Sequence, residues 1–131
     1  MTDEVAHIWP LLKTQSLPYP PSAYSLVHEG LRHAVQRVFD EDHERLMGDR
    51  HVSGQELCLG VRDVAIEQFG PLARTVLETW HISSTDDFGS MVRAMVQAGL
   101  LRMSERDTLE DFHSVYDFDE AFGTQLDPSM N

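Results

Sequence analysis

The sequence has little of two residue types: Cys58 is its one cysteine and Lys13 its one lysine in 131 residues. A lone cysteine excludes an intramolecular disulfide and a cysteine-based zinc site, and it gives no sign of an oxidising compartment. Lysine and arginine together number 10 against 22 aspartates and glutamates, which gives a formal net charge of -12. Such a surface opposes nucleic-acid phosphates and anionic membranes unless a local basic patch overrides the net charge.

Long apolar runs are also missing. The N-terminus, MTDEVAHIWPLLK, starts with acids, and its apolar patch is too short and too broken for a signal peptide or a membrane span. Apolar residues make up 41% of the chain and charged residues 24%, which are ordinary values for a globular protein. We therefore expect a cytoplasmic protein with an N-terminal arm over residues 1–18, a single helical domain over 19–122 and a flexible tail over 123–131.

The N-terminal arm carries apolar residues without a sustained period. They fit either an arm that docks on the domain, as most apolar arms do, or a short partner-binding motif. The residues concerned are Val5, Ile8, Trp9, Leu11 and Leu12.

Apolar spacings of three and four predict the helices that follow. The first enters at Pro20 and Pro21 and has an apolar face over 23–38. Residues 40–50, DEDHERLMGDR, have no apolar period and are predicted to be a solvated acidic loop. Ser53 with Glu56 forms a capping box that predicts the start of a second helix.

Glycine, proline and serine mark the remaining boundaries. Gly70 is expected to end the second helix, and Pro71 to open a short third helix that ends near His81. Ser84, with an acid three residues later, caps a fourth helix that runs to Gly99.

The last part of the domain is predicted to form a small hairpin. Residues 100–103 are expected to form one strand, 104–107 a capped turn, and HSVYDF at 113–118 a second strand because its residues alternate. The predicted fold is mainly α and winged-helix-like, with four to five helices and a small C-terminal β-hairpin. An all-α bundle without a sheet is the alternative.

Several blocks of sequence carry a resemblance to a known family. They are RHVSGQEL, AIEQFGPLARTVLETW, STDDFGSMV, AGLL, EDF and VYDFDEAF, in this order. Together they resemble an uncharacterised family of short acidic bacterial proteins, over most of Tyr19–Phe122. The resemblance implies no activity, ligand or catalytic residue. The chain departs from it at His81, where glycine is expected, and at Arg93, where an apolar or aromatic residue is expected.

Nucleic-acid binding is disfavoured by the residues that would carry it. The first turn of the candidate recognition helix holds Asp86 and Asp87, which would repel phosphates where such helices meet DNA. The nine arginines are scattered singly, so no basic patch offsets these acids. A structural explanation is that the two carboxylates favour the positive end of the helix dipole.

Metal, cofactor and catalytic signals are also absent from the sequence. His28 and His33 are five residues apart, whereas two ligands on one helical face need three or four. The acids of residues 40–44 lack the spaced oxygens and the glycine of a calcium loop. No GxSxG elbow or phosphate-binding glycine loop occurs, and Cys58 lies on the apolar side of its helix, where a buried inert thiol is expected. We expect no metal and no cofactor.

These observations favour a non-catalytic interaction or regulatory adaptor with an acidic surface, whose partner is a basic protein or a protein that carries a basic segment. Aromatics alternate with acids near the C-terminus; most of these rings are expected to close the core, and one or two to anchor a peptide. The alternatives are a winged-helix nucleic-acid binder and a small enzyme. The residues predicted to contact the partner are Trp80, Asp86, Asp87, Arg93, Tyr116 and Phe118.

Overall fold

The computed structural model describes residues 2–46, 52–101 and 109–122. The mainly α class is confirmed. Short 3₁₀ turns lie at Lys13–Gln15, Gly70–Leu72 and Leu109–Phe112. The helices are α1 (Asp3–Leu12), α2 (Pro21–Leu46), α3 (Gly54–Phe69), α4 (Ala73–Thr79), α5 (Thr85–Gln97) and α6 (Phe118–Phe122).

No strand occurs within residues 2–46, 52–101 and 109–122, so the prediction of a strand at 113–118 was wrong. Ser114 takes a φ of 49°, in the left-handed region, which breaks an extended chain. The backbone N–H of Val115 donates to the Thr85 hydroxyl at 3.2 Å instead of to a neighbouring strand. Phe118 then begins α6. Leu100 and Leu101 are not in a strand either, and the remainder of the predicted first strand and the turn at 104–107 lie outside the described residues.

The segment expected to be an arm forms a helix that joins the core. Val5, Ile8 and Leu12 of α1 follow the three- and four-residue spacing of one helical face, and all are buried. The backbone N–H of Thr2 donates to Ser25 Oγ of α2 at 2.8 Å. Burial and this hydrogen bond fix α1 on α2, and Leu11 stays 55% exposed on the outer side.

Helix α2 is longer than the sequence predicted, because the expected loop at 40–50 is helical as far as Leu46. Glu, Arg and Leu are good helix formers, and the stretch DEDHERL contains neither glycine nor proline. The stretch has no apolar period, so periodicity alone gave no sign of this extension. The rest of the predicted loop, residues 47–50, lies outside the described part of the chain.

Helices α2 and α3 cross in backbone contact at two glycines. A Cβ atom placed on Gly60 would lie 2.3 Å from the carbonyl oxygen of Gly30, and one placed on Gly30 would lie 2.4 Å from Val61 Cγ2. No side chain fits at either position without moving a helix. The same two helices are also joined by a hydrogen bond from Gln68 Nε2 to Glu29 Oε2, at 2.6 Å.

The boundaries that the sequence predicted at Ser53 and Gly70 agree with the structure. Ser53 and Glu56 make both hydrogen bonds of the capping box, and Gly70 ends α3 with a φ of 53°. After α4, His81 takes the left-handed conformation, with a φ of 66°, at the position where the family resemblance leads us to expect glycine. Gly89 of α5 lies against Phe112, where a Cβ atom would come within 2.9 Å of the ring, so close packing explains this glycine. None of the helices in the described residues has the length and hydropathy that a membrane span requires.

Candidate partner-binding surfaces

A polar concavity of about 420 Å³, which we call the acidic cleft, opens beside the first turn of α5. It lies between that turn, the segment before α6 and one arginine of α4. Three carboxylates and one guanidinium line it, so negative charge is in excess. The lining residues are Arg74, Ser83, Ser84, Thr85, Asp86, Ser114, Tyr116, Asp117, Phe118 and Asp119.

The floor of the acidic cleft is held by buried hydrogen bonds. Thr85 is fully buried, and its hydroxyl donates to the carbonyl oxygen of Phe112 at 2.5 Å and accepts from the N–H of Val115. The Tyr116 hydroxyl donates to the carbonyl oxygen of Cys58 at 2.8 Å. Burial raises the pKa of Tyr116 well above its ordinary value of 10.0, so this phenol stays a neutral donor. These bonds fix the chain before α6 on α3 and α5.

An arginine and a histidine of the chain itself already contact two of the carboxylates in the acidic cleft. Arg74 forms ion pairs with Asp119 and with Glu78 of its own helix. His113 Nδ1 lies 3.2 Å from both carboxylate oxygens of Asp86. One guanidinium cannot neutralise three lining carboxylates. The cleft therefore keeps a negative potential.

A second concavity, the aromatic pocket, has a volume of about 230 Å³ and lies between α2 and the C-terminal ends of α3 and α4. The rings of Phe69 and Trp80 meet at 83°, with their centroids 5.7 Å apart. Glu29 Oε2 accepts a hydrogen bond from Gln68 Nε2 at 2.6 Å. The lining residues are Ser22, Ser25, Leu26, Glu29, Gln68, Phe69 and Trp80.

The structure divides the residues predicted to contact a partner among three places. Asp86, Tyr116 and Phe118 line the acidic cleft, and Trp80 lines the aromatic pocket. Phe118 is 5% exposed, and its ring packs on those of Phe88 and Phe122, so it closes the core as expected for most of these aromatics.

Asp87 and Arg93 line neither concavity. Asp87 Oδ2 accepts from the backbone N–H groups of Ser83 and Ser84, and its Oδ1 accepts from the Tyr19 hydroxyl at 2.5 Å. Burial, together with this carboxylate, raises the pKa of Tyr19 well above its ordinary value. Asp87 thus has a structural role that its capping position indicated. Arg93 lies on the exposed side of α5.

Sequence reasoning missed Arg74 and Asp119 in the acidic cleft, and Glu29 and Phe69 in the aromatic pocket. Glu29 and Gln68 are 39 residues apart in the chain, and nothing in either local pattern indicates that they meet. Asp119 appeared only as one of several acids near the C-terminus. The signal that could have found the pocket is the pair Gly30 and Gly60, because glycines inside helices mark close helix crossings.

The described residues offer no metal site and no activated nucleophile. Within them, no group of three or more His, Cys, Asp or Glu side chains is arranged to hold a metal ion. The Cys58 thiol is fully buried, and burial raises its pKa to about 12, so the reactive thiolate is disfavoured. Both concavities carry carboxylates, which are suited to contact a cationic group.

Comparisons with known proteins add no relative to this description. No protein-family model, no curated protein and no solved structure matches the chain. The resemblance to an uncharacterised bacterial family therefore stays a prediction. What the chain binds has to be inferred from its own side chains.

Proposed function

We propose that the protein is a non-catalytic interaction module of the cytoplasm that binds a partner protein through a basic segment of that partner. The observation that carries this proposal is the acidic cleft, in which three carboxylates face one guanidinium. The cleft lies on a chain whose formal net charge is -12. Both charges favour encounter with a positively charged segment, and they suppress encounter with an acidic one.

The construction of the cleft supports binding as well as encounter. Its floor is fixed by Thr85, so little conformational freedom would be lost when a partner segment is bound. The half-buried ring of Tyr116 offers an apolar contact beside Asp117. Basic side chains could place their charged ends on the carboxylates and their aliphatic stems on this ring.

Nucleic-acid binding is the weaker alternative. A phosphate that approached the first turn of α5 would meet Asp86, and the exposed Arg93 lies about two turns further along that helix. A winged-helix relationship of α3, α4 and α5 stays a proposal. An enzyme would need a nucleophile or an acid–base pair in a closed site, and the two open concavities offer neither.

The experiment is an affinity capture from a lysate of the source cells with the tagged wild-type chain, at low and at high salt. Protein and nucleic acid in the bound material are both analysed. We expect a stoichiometric protein partner with a basic segment, lost as the salt concentration rises because screening weakens exposed charge pairs. Recovery of nucleic acid instead of protein would favour the alternative, and a chain that captures nothing would refute the proposal.

Two charge-reversal variants test whether the captured partner binds at the acidic cleft. Asp86→Lys places a positive charge in the cleft, whereas Glu41→Lys makes the same change of charge on the exposed side of α2, outside the cleft. The partner should be lost with Asp86→Lys and retained with Glu41→Lys. Equal loss with both variants would show that only the net charge matters and would contradict a role for the cleft.

A further inference from the structure

The aromatic pocket combines two features that recognise an alkylammonium group. One is an aromatic wall, formed by Phe69 and Trp80. The other is a single carboxylate, Glu29, among otherwise neutral lining residues. A cation is attracted by the negative face of an aromatic ring and by the carboxylate, so the two features act on the same charge.

The geometry of the ring pair leaves aromatic surface for such a contact. Phe69 and Trp80 meet edge to face, with an interplanar angle of 83°. In this arrangement the ring that presents its edge keeps both of its own faces out of the contact. Both rings are only partly buried, and both line the pocket.

The charge of Glu29 has no counter-charge inside the pocket. Its carboxylate accepts a hydrogen bond from the neutral amide of Gln68, and within the described part of the chain Glu29 makes no ion pair. Arg32, one turn further along α2, is exposed and does not line the pocket. His28, the preceding residue, is buried, and burial lowers its pKa, so it is neutral at neutral pH. An incoming cation would therefore supply the missing charge.

We propose that the aromatic pocket binds the ammonium group of a lysine side chain from the partner's basic segment. Glu29 is its counter-charge, and Phe69 with Trp80 form its aromatic wall. The inference rests on the proposed function for the source of the lysine. A compact ammonium on a thin aliphatic stem fits a concavity of about 230 Å³, and its three N–H donors can reach the Glu29 carboxylate and the Ser22 hydroxyl that line it.

The test uses Nα-acetyl-lysine methylamide as the probe, titrated into ¹⁵N-labelled full-length protein and followed by the indole N–H signals. Trp80 lines the pocket, and Trp9 in α1, which packs on Tyr24, serves as an internal reference. We expect a saturable shift of the Trp80 signal and none of the Trp9 signal. The norleucine analogue, which has the same stem without the charge, should produce no shift.

Two variants test whether the probe binds beside Glu29. Glu29→Gln keeps an oxygen for the Gln68 hydrogen bond but removes the charge, and it should weaken the probe about fivefold, as expected for loss of one close charge contact. Asp40→Asn removes one charge from an exposed position on the same helix and should leave the affinity unchanged. Dispersed spectra of each variant establish that it is folded.

The outcomes separate this inference from the proposed function. A Trp80 signal that does not move, or that moves equally with norleucine, overturns the lysine site even if a basic partner has been captured through the acidic cleft. Tighter binding of Nα-acetyl-arginine methylamide overturns the choice of lysine. A specific shift at Trp80 without any captured partner supports the pocket and refutes the proposed function instead.

Discussion

The acidic cleft and the aromatic pocket differ in what balances their carboxylates. In the cleft, Asp119 forms an ion pair with Arg74, so a cation of the chain itself already balances one of the carboxylates. In the pocket, Glu29 accepts a hydrogen bond from a neutral amide, and aromatic rings lie beside it. The cleft is also nearly twice as large, with a volume of about 420 against about 230 Å³.

This difference predicts that the two surfaces have different roles in binding. Exposed carboxylates that are partly paired contribute little to any single contact, but their summed field attracts a positive segment from a distance. An unpaired carboxylate beside aromatic rings acts only at short range, where it selects one side chain. We therefore expect the cleft to govern the rate of association and its salt dependence, and the pocket to govern dissociation.

The largest effect should come from a change at the crossing of α2 and α3, the two helices that supply most of the pocket lining. Gly60→Ala places a Cβ atom 2.3 Å from the Gly30 carbonyl oxygen, so α2 and α3 must separate. We expect the free energy of unfolding in urea to fall by about 3 kcal/mol, the upper end of the range for overpacking. Gln55→Ala, at an exposed position of α3, is the matched control and should change it by less than about 0.5 kcal/mol. Equal stability of the two variants would contradict the close crossing.

A somewhat smaller loss is expected in the floor of the cleft. Thr85→Val keeps the shape of the side chain but leaves the Phe112 carbonyl and the Val115 N–H without their partner. The free energy of unfolding should fall by about 2 kcal/mol, because buried polar groups left unpaired are costly. Thr85→Ser, which keeps the hydroxyl, should retain most of the stability. A valine variant as stable as the serine variant would mean that the hydroxyl does not hold the cleft together.

The pH dependence of stability should report on the helix that carries the pocket. His28 is buried with its Nδ1 unpartnered, and burial lowers its pKa from 6.5, despite the opposing influence of Glu4 and Glu29 and with a smaller contribution from Arg32. As the pH falls, His28 therefore takes up a proton in the unfolded chain before it does so in the folded protein. Neutral His28 stabilises the folded protein fully at pH values above its pKa in the unfolded chain. This stabilisation is lost as the pH falls through the pKa of His28 in the folded protein.

Urea unfolding at about pH 7.5 and about pH 5.5 measures this loss, with the group's unperturbed pKa between the two values. His28→Gln should lose less stability than the wild type over this interval, whereas the exposed His7→Gln should lose as much as the wild type. Identical losses in wild type and His28→Gln would show that His28 is not kept neutral by burial.

The smallest effect concerns the internal pairing of the cleft. Arg74→Gln removes the guanidinium that pairs with Asp119 and Glu78. A Lys-Gly repeat peptide should then bind about two- to fivefold more tightly at low ionic strength, because an exposed ion pair no longer competes. The gain should vanish at high salt. Weaker binding by this variant would show that Arg74 builds the cleft instead of screening it.

Local signals allowed much of the fold to be predicted. Ser53 with Glu56 and Gly70 placed helix ends correctly because capping depends on residues within one turn of each other. The alternation of HSVYDF was misleading, since Thr85, 30 residues away from Val115, takes the N–H that a strand would have used. The alternation of these six residues predicted a strand, but the hydrogen bond to the buried Thr85 hydroxyl replaced the bond that a strand would have made.

The candidate sites were less accessible to sequence reasoning. Trp80 and Asp86 were chosen for their chemistry, and each lines a concavity, but their neighbours come from other helices. Glu29 of α2 meets Gln68 of α3 across the contact between the two helices, and the local pattern of neither helix indicates this meeting. Asp87 was also chosen for its charge, yet its oxygens are used by the helix cap and by Tyr19.

The most direct test of the central claim is a titration of wild type, Asp86→Lys and Glu29→Gln with the Lys-Gly repeat peptide, in which association and dissociation rates are measured at low and high salt. We predict that Asp86→Lys mainly slows association at low salt and that Glu29→Gln mainly speeds dissociation at both salt concentrations. A Glu-Gly repeat peptide should not bind. Equal binding of the acidic and basic peptides, or rates that neither substitution changes, would contradict recognition of a basic segment by these two surfaces.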